Sequence, residues 1–310
     1  MTSTPRLSIL LSTYNGEKFL SDQLDSLFAQ TYKNFIVVVR DDGSSDSTLS
    51  ILQEYRDRFT DRIHLIESSA SNLGARDSFA YLMEYVLNNK AQLGIDNAYM
   101  LFCDQDDVWF PNKIEVELEA MLECEASNPG TPILIHSDLE VVSEKLESVA
   151  PSLARYQGLE THRNSFNQMA ISNLVTGCTA LLNESLAKKC LPVSSNAIMH
   201  DWWLALVASA FGKVVYLNQP LIHYRQHGSN TIGAKEHQQA LAARPGFWVR
   251  LLHLQVNEHL REVAVQAKDF LDSFGSDLSD HQRAGLKIAS KMDVGFGTLQ
   301  RIRYRRARRF

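Results

Sequence analysis

The sequence predicts an α/β protein with a mostly parallel central sheet flanked by helices. Two features of the first 110 residues indicate this fold class. Short strands there are apolar along their whole length, as expected of strands covered on both faces. Between them lie segments whose apolar residues recur at helical spacing, and strands alternating with helices are typical of a parallel sheet. The chain of 310 residues is 45% hydrophobic and 22% charged, which provides ample material for a core.

The first strand is predicted at 7–12, where LSILLS is almost entirely apolar. In the helix that follows, the residues at helical spacing are Phe19, Leu20, Leu24, Leu27 and Phe28. Further strands are predicted at 35–41, 63–68 and 98–104. The helix after the second strand begins with Ser and Asp residues, which are suited to capping a helix.

After a helix that begins at Pro111, strands and helices no longer alternate regularly. Strands are predicted at 132–142 and 174–183, a helix at 200–211, and a final strand pair around Pro220. From about residue 236 onwards, the apolar spacing predicts helices. We therefore expect one main domain at 1–235 and a helical C-terminal extension at 236–310.

Charge is distributed unevenly along the chain. The formal net charge is −5, but residues 236–310 carry +5 and residues 1–235 carry −10. The last ten residues, RIRYRRARRF, include six arginines. Such a segment is attracted to anionic lipid by about 1 kcal/mol per basic side chain near the surface. A disordered solubilising tail is the alternative, and no stacking module accompanies the arginines to indicate nucleic-acid binding.

The cysteines and the apolar runs bear on the compartment. The four cysteines show no CxxC pair and no zinc-like spacing, which favours reduced, buried thiols in the cytoplasm. The N-terminal residues lack the pattern of a signal peptide. The longest apolar runs, such as LALVASAF at 204–211, are far shorter than the roughly 20 residues of a membrane-spanning helix. We predict a cytoplasmic protein, held at most on the inner face of the cell membrane.

Polar loops follow three of the predicted strands: STYNGE, RDDGSSDST and DQDDVW. Ligands of open parallel sheets bind outside the carboxyl ends of the strands. In the third loop, Asp104, Asp106 and Asp107 repel one another unless a cation or a strong donor joins them. Carboxylate oxygens suit Mg²⁺ or Mn²⁺, and such an ion normally completes its shell with water and substrate phosphates. The loop therefore predicts a divalent metal with a phosphorylated ligand.

The acidic loop has two other interpretations. An EF-hand is excluded, because Val108 and Trp109 would occupy the positions that require a ligand and a turn glycine. A capped strand-to-helix turn remains the structural alternative, since Asp is common before a helix that begins with Pro. For DDGSSDS alone, ordinary turn chemistry is the alternative.

The motifs taken together resemble glycosyltransferase family 2, whose catalytic domain has the nucleotide-diphosphosugar-binding fold called GT-A. The resemblance covers about residues 6–232. The sequence of its last third is most similar to the rhamnosyltransferase-like branch that builds bacterial surface polysaccharides. It is carried by SILLSTYNGEKFLSDQLDSLFAQTY, VVVRDDGSSDST, NLGARDSF, LFCDQDDVWFPNKI, VTGCTALLN, HDWWLAL and LIHYRQHGSN.

The resemblance implies roles in binding the sugar donor. Thr13 and Tyr14 line the base pocket, and Asp42 hydrogen-bonds the pyrimidine, with Asp41 beside it. Asp104 and Asp106 match the family's Asp-x-Asp motif. The first lies near the ribose, and the second binds a metal, Mg²⁺ or Mn²⁺, that bridges the two phosphates.

The resemblance also implies a general base, Asp201, which would take the proton of the acceptor hydroxyl. His200 stands where many relatives have Glu, so the base assignment rests on one acid. A helix N-cap is the structural alternative for Asp201. The adjacent Trp202 and Trp203 could raise the pKa of the base, stack on a sugar ring or fill core, and we expect at least one of them to be core.

Four further residues have both a functional and a structural interpretation. His227 completes the metal shell or is an ordinary hydrogen-bonding residue. Arg225 neutralises the diphosphate or forms a salt bridge. Gly177 lets the backbone approach donor or acceptor, or marks a bulge. Asp138 lies on the acceptor side or is structural.

The resulting hypothesis is an inverting, metal-dependent glycosyltransferase. Its donor is a dTDP-, UDP- or GDP-sugar, with L-rhamnose as the leading sugar, and its acceptor is a hydroxyl of a growing, lipid-linked cell-surface glycan. A nucleotidyltransferase is one alternative, although STYNGEKF lacks the Gly-rich, basic phosphate loop of that class. A non-catalytic nucleotide-sugar-binding protein is the other.

Overall fold

The computed structural model describes residues 4–67, 72–228, 258–293 and 302–304. Within these residues, nine strands form one sheet in the order β3-β2-β1-β4-β8-β6-β9-β5, with β7 paired to β6. The strands are β1 (Leu7–Thr13), β2 (Phe35–Asp41), β3 (Ile63–Leu65), β4 (Tyr99–Cys103), β5 (Val108–Trp109), β6 (Ile133–Val142), β7 (Ser148–Ala150), β8 (Ala180–Leu182) and β9 (Lys213–Arg225).

The longer strand pairings are parallel, as predicted. β1 pairs in parallel with β2 and β4, β2 with β3, and β6 with β9. The antiparallel pairings are short and involve β5, β7 and β8. The register sets Thr13 opposite Asp41 and Leu11 opposite Cys103, so three predicted loops leave the sheet at one edge.

Helices cover both faces of the sheet. They are α1 (Leu20–Phe28), α2 (Thr48–Arg58), α3 (Gly74–Asn88), α4 (Lys90–Leu93), α5 (Lys113–Ser127), α6 (Leu153–Gln157), α7 (Phe166–Met169), α8 (Glu184–Cys190), α9 (His200–Phe211), α10 (Glu258–Phe274) and α11 (Asp280–Ala289). One apolar core contains α1, α2 and α5, and the other contains α3 with α7 to α11. Successive residues of β1 alternate between them: Ile9 and Leu11 lie in the first core and Leu10 in the second.

Two predicted strands differ from the structure. The final strand pair around Pro220 is wrong, because β9 runs unbroken through it. The register with β6 shifts near Asp138, which faces Pro220, as expected where proline cannot donate to the ladder. The strand at 174–183 is reduced to β8, because a 3₁₀ turn occupies Gly177–Thr179.

The C-terminal helices α10 and α11 pack on α9 and α7. The ring of Phe270 lies 5.2 Å from that of Trp203, centroid to centroid. Gln266 accepts a hydrogen bond of 2.9 Å from the backbone N–H of Ile198, just before α9. The predicted domain boundary near residue 235 lies outside the described residues, as do 236–257 and most of the arginine-rich tail. Among the helices described, none combines the length and apolar character needed to cross a membrane.

We expect Phe270→Ala to lower the free energy of unfolding by about 3–5 kcal/mol, since removal of a buried phenyl ring leaves a cavity. Phe270 is fully buried, whereas Val265 on the same helix is 44% exposed. Val265→Ala is therefore the matched control, with an expected change within about 0.5 kcal/mol. Urea unfolding measures both. Equal effects of the two substitutions would contradict the packing of α10 on α9.

Candidate active site

The loop after β1 and the acidic loop after β4 are joined by one side chain, Gln105. Its Oε1 accepts a hydrogen bond of 2.8 Å from the Tyr14 backbone N–H, and its Nε2 donates one of 3.0 Å to the Tyr14 carbonyl. A Cβ on Gly16 would lie 2.3 Å from Gln105 Oε1, so a larger residue there would displace the Gln105 amide. Sequence reasoning overlooked Gln105, although it is the middle residue of the Asp-x-Asp motif.

The loop after β2 is organised by Asp41. This carboxylate accepts hydrogen bonds from the Thr13 hydroxyl at 2.9 Å and from the backbone N–H groups of Gly43 and Ser44 at 3.1 and 2.8 Å. Thr13 and Asp41 are buried, whereas Tyr14 is 50% exposed. The three predicted residues therefore lie together, and Tyr14 presents the open surface.

Asp42 points from the same loop into the protein. Its carboxylate accepts hydrogen bonds from the backbone N–H groups of Leu73 and Gly74 at 2.7 and 2.8 Å, at the start of α3, and pairs with Arg40. Burial alone would raise the pKa of Asp42, but these hydrogen bonds and the Arg40 charge outweigh burial and keep the pKa below its usual range. The predicted contact with a pyrimidine stays a prediction.

The acidic loop brings carboxylates and a thiol together. Ligand atoms of Asp104, Asp107 and Cys178 lie within 4.8 Å of one another. Asp107 is fully buried, and its Oδ1 accepts a hydrogen bond of 3.1 Å from the backbone N–H of Arg225. Asp106 Oδ2 lies 2.8 Å from His227 Nε2. The sequence predicts Cys178 only as a buried thiol, and its one further signal is its position beside Gly177.

The electrostatics of this cluster favour a cation. Burial raises the pKa of Asp104 to about 7, and the charges of Asp106 and Asp201 add to the effect. Burial, with the charges of Asp106 and Asp104, also raises the pKa of Asp107. A divalent ion would relieve this repulsion, so the carboxylates present fit Mg²⁺ or Mn²⁺. The structure places the predicted ligands Asp106 and His227 in contact, whereas the ligand atoms that converge with Asp104 are those of Asp107 and Cys178.

Arg225 fixes the acidic loop from the end of β9. Its guanidinium donates to the carbonyl of Asp106 at 2.9 Å and to the carbonyl of Glu144 at 2.6 Å, and it pairs with Asp22 at 2.8 Å. The side chain also covers the ring of Phe19. These contacts are with protein and include the salt bridge of the structural alternative. The predicted diphosphate contact stays a prediction.

Asp201 lies in the first turn of α9, close to the acidic loop. The helix begins at His200 with Met199 as its N-cap, so the N-cap alternative for Asp201 is wrong. Burial raises the pKa of Asp201 to about 7, although hydrogen bonds from Trp202, Gly177 and Asn173 oppose the effect. A carboxyl with this pKa can both accept and release a proton near neutral pH.

Gly177 permits the close approach of its turn to α9. A Cβ built on Gly177 would lie 3.1 Å from His200 Nε2 and 3.6 Å from Asp201 Oδ2. The bulge interpretation is wrong, since Gly177 begins a 3₁₀ turn. His200 itself is buried against Phe79 and Phe102, with ring centroids at 4.4 and 4.7 Å.

His200 contributes no positive charge to the site. Neither ring nitrogen has a hydrogen-bond partner among the described residues. Burial lowers the pKa of the imidazole to about 3, so it is neutral at pH 7. Asp201 therefore has neither a second carboxylate nor a cation from its neighbour.

The remaining predicted residues are structural. Trp202 and Trp203 are both buried, with their indole N–H groups donating to the carbonyls of Met169 at 2.6 Å and Cys190 at 3.2 Å. The expectation that at least one is core is confirmed for both. Asp138 accepts hydrogen bonds from the Ser152 hydroxyl and from backbone N–H groups, which agrees with its structural alternative.

Comparison with known proteins adds a family and a fold. The sequence model "Glycosyl transferase family 2" matches residues 8–191. The chain is 26% identical to the dTDP-rhamnosyl transferase RfbG of Shigella flexneri over 235 residues, 72% of this chain and 74% of that protein. It is also 26% identical to the putative teichuronic acid biosynthesis glycosyltransferase TuaG of Bacillus subtilis over 225 residues, 71% of this chain and 79% of that protein.

Solved structures share the fold at low sequence identity. The S. aureus TarS fragment 1–349 in complex with UDP-GlcNAc matches 91% of this chain and 70% of that chain, with a TM-score of 0.55 and 17% identity. The mannosyltransferase PcManGT of Pyrobaculum calidifontis, with GDP-Man and Mn²⁺, matches 99% and 85%, with a TM-score of 0.51 and 15% identity. This chain spans 43% of the longer TarS chain. The predicted GT-A fold is confirmed.

Proposed function

The chain belongs to glycosyl transferase family 2 and is a glycosyltransferase, and we propose that it moves a sugar from a nucleoside-diphosphate donor to a glycan hydroxyl with inversion at the sugar carbon. One observation carries the proposal: the Asp201 carboxyl, with its raised pKa, lies beside the acidic loop at the sheet edge. The nucleotidyltransferase and the non-catalytic alternatives do not agree with the family.

The donor would bind across the loops after β1, β2 and β4. The exposed ring of Tyr14 offers a face for the base, while Thr13 and Asp41 form the floor beneath it. The complexes of the structural neighbours contain UDP-GlcNAc and GDP-Man, which supports a nucleotide sugar in general. The similarity to RfbG makes dTDP-L-rhamnose the leading donor.

Asp104, Asp106 and His227 would hold Mg²⁺ or Mn²⁺, and the ligand atoms of Asp107 and Cys178 lie within 4.8 Å of that of Asp104. When bound, the metal supplies Lewis-acid stabilisation of the negative charge that grows on the departing diphosphate. The chain's own residues keep the loop in place: Gln105 joins it to Tyr14, and Arg225 holds the Asp106 carbonyl.

Asp201 would orient the acceptor hydroxyl and take its proton at a carboxylate oxygen as the new glycosidic bond forms. The neutral His200 beside it leaves that proton with Asp201. Inversion follows if the hydroxyl attacks the face of the sugar opposite the diphosphate. The reaction needs one base and forms no covalent sugar–enzyme intermediate.

Purified protein should turn over dTDP-L-rhamnose, or another nucleotide sugar, in the presence of Mn²⁺ and a glycan acceptor. Release of nucleoside diphosphate measures the rate, and NMR of the product measures the anomeric configuration. A product that retains the donor's configuration would refute the single-base mechanism. Absence of turnover with dTDP-, UDP- and GDP-sugars would refute the proposed function.

The pH dependence of kcat/KM should follow the base. Because burial raises the pKa of Asp201 to about 7, the carboxyl is protonated and inactive at pH 5. The rate should rise about tenfold per pH unit towards neutrality and level off above the pKa. A pH series between 5 and 9 at saturating metal measures this profile. A flat profile down to pH 5 would exclude Asp201 as the base.

We further propose that the acceptor is a lipid-linked glycan and that the arginine-rich tail contacts an anionic membrane surface. The charge of 301–310 and the similarity to proteins named for dTDP-rhamnose transfer and teichuronic acid biosynthesis support this placement. Sedimentation with vesicles that contain phosphatidylglycerol tests the contact. Deletion of 301–310 should abolish co-sedimentation at low salt.

A further inference from the structure

A cavity of about 450 Å³ lies beside α6 and α7, with Tyr304 also in its wall. Its size is within the range of small-molecule binding pockets. None of the predicted donor or metal residues lines it. The lining residues are Gly158, Leu159, Glu160, Arg163, Gln168, Ile171, Ser172, Leu174 and Tyr304.

The wall of this cavity is continuous with the segment that contacts the base. Ser172 and Leu174 line the cavity, and Asn173 between them acts on Asp201, where its side chain opposes the effect of burial on the pKa. Gln168 also lines it, and the carbonyl of the next residue, Met169, accepts the indole N–H of Trp202. Asp201 thus has the acidic loop as one neighbour and the cavity wall as another. A base that takes the proton of the acceptor hydroxyl must have the acceptor beside it.

The lining has the chemistry that a sugar ring requires. Arg163 and Glu160 form an ion pair at 3.2 Å, with both side chains about half exposed. Together with Gln168 and Ser172 they offer hydrogen-bond donors and acceptors for hydroxyl groups. The ring of Tyr304 and the side chains of Leu159 and Ile171 offer apolar surface for the C–H face of a pyranose.

The charge balance of the cavity selects among ligands. Arg163 offsets Glu160, and the other lining side chains are uncharged. A lining without net charge gives no advantage to a nucleotide or to a lipid phosphate, both of which need cationic groups. It suits a neutral saccharide.

We propose that this cavity binds the terminal sugar residues of the acceptor glycan, which are neutral saccharides. The proposal rests on the proposed function and adds its acceptor site. Tyr304 is a part of that site, so substrate recognition extends beyond residues 8–191, which match the family model.

Binding is tested by saturation-transfer NMR on the full chain, with a panel of methyl glycosides of neutral deoxyhexoses, hexoses and N-acetylhexosamines at millimolar concentration. We expect transfer to the ring protons of at least one glycoside. Ser172→Trp, which places an indole ring in the cavity, should abolish the transfer. Arg163→Ala should weaken binding about tenfold, the effect of losing a charged hydrogen-bonding group.

Arg261→Ala is the matched control, because Arg261 forms the same kind of exposed ion pair with Glu258 on α10, away from the cavity. It should leave the NMR signals unchanged. Because the Arg163 side chain is about half exposed, Arg163→Ala should fold even if Ser172→Trp does not. Circular dichroism verifies the folding of both variants. No transfer to wild-type protein, or equal transfer to Ser172→Trp, would overturn the proposal.

Donor turnover by the wild-type protein is measured separately, so failure of the acceptor site can be distinguished from failure of the proposed function. Turnover without cavity-dependent glycoside binding removes the acceptor site and keeps the proposed function. Glycoside binding without any donor turnover removes both, since an acceptor site needs a transferase. With the best glycoside as acceptor, Arg163→Ala should raise the KM for acceptor far more than the KM for donor.

Discussion

Asp201→Asn should reduce kcat for sugar transfer by about 10²–10⁴-fold, the range that a positioned general base supplies. Asn keeps the size and much of the hydrogen bonding of the side chain but cannot take a proton. The KM for donor should change little, because the donor loops after β1, β2 and β4 stay intact. Steady-state kinetics with Mn²⁺, the donor and a glycan acceptor measure both quantities.

The same variant should be more stable than the wild type at pH 8. The folded-state pKa of Asp201, about 7, lies above the ordinary value of 3.8. The native state therefore holds the proton more tightly than the unfolded chain and loses stability as the pH rises from about 4 to 7. Asn has no carboxyl group to ionise, so the variant does not lose this stability as the pH rises. Thermal unfolding at pH 8 should show a higher midpoint for the variant.

Asp280→Asn is the control for the base, since Asp280 also lies in the first turn of a helix, α11, but is fully exposed. It should change neither activity nor stability by much. Full activity of Asp201→Asn would show that another group takes the proton. A stable but inactive Asp201→Asn is the combination that a buried structural carboxylate would not give.

Asp106→Ala should reduce kcat/KM by about 10²–10³-fold and abolish the stimulation by Mn²⁺, because stabilising the charge on the leaving diphosphate contributes much of the rate acceleration in such reactions. The substitution also leaves His227 without its carboxylate partner. Titration of Mn²⁺ by electron paramagnetic resonance, without donor, should show weaker binding of the ion. Kinetics and binding are thus measured on the same variant.

Asp96→Asn is the corresponding control. Asp96 is exposed and precedes β4, so it lies at the opposite end of that strand from the acidic loop. It removes the same charge without touching the site and should leave Mn²⁺ binding and kcat/KM unchanged. Undiminished Mn²⁺ binding by Asp106→Ala would show that Asp104, Asp107 and Cys178 are sufficient to hold the ion.

The parallel half of the sheet could be predicted from the sequence because local and tertiary signals agree there. LSILLS and FIVVVRD are long apolar strands, and each precedes a helix with regular apolar spacing. The strands after Pro111 were harder to predict from the sequence. Pro220 indicates a break in the local sequence, but the neighbouring strand β6 keeps β9 continuous by a shift of register. The turn at Gly177 depends on its packing against α9, which local sequence does not encode.

The candidate site was predictable where its residues follow a strand in the sequence. Thr13, Asp41 and Asp104 lie at one edge of the sheet because their strands have aligned ends. Gln105 and Cys178 were overlooked, because an amide and a thiol acquire their roles only through contacts across the fold. The unpartnered imidazole of His200, among the described residues, likewise reflects the packing of Phe79 and Phe102 around it.

Arg225 joins its own strand to three distant parts of the chain: Asp22, Asp106 with Asp107, and Glu144. During synthesis on the ribosome, the acidic loop consequently lacks its final anchor until β9 has emerged. A fragment trimmed to the 8–191 match would contain the Asp-x-Asp motif but neither this anchor nor Asp201. Chimaeras that exchange donor specificity between relatives should therefore have their junction after His227.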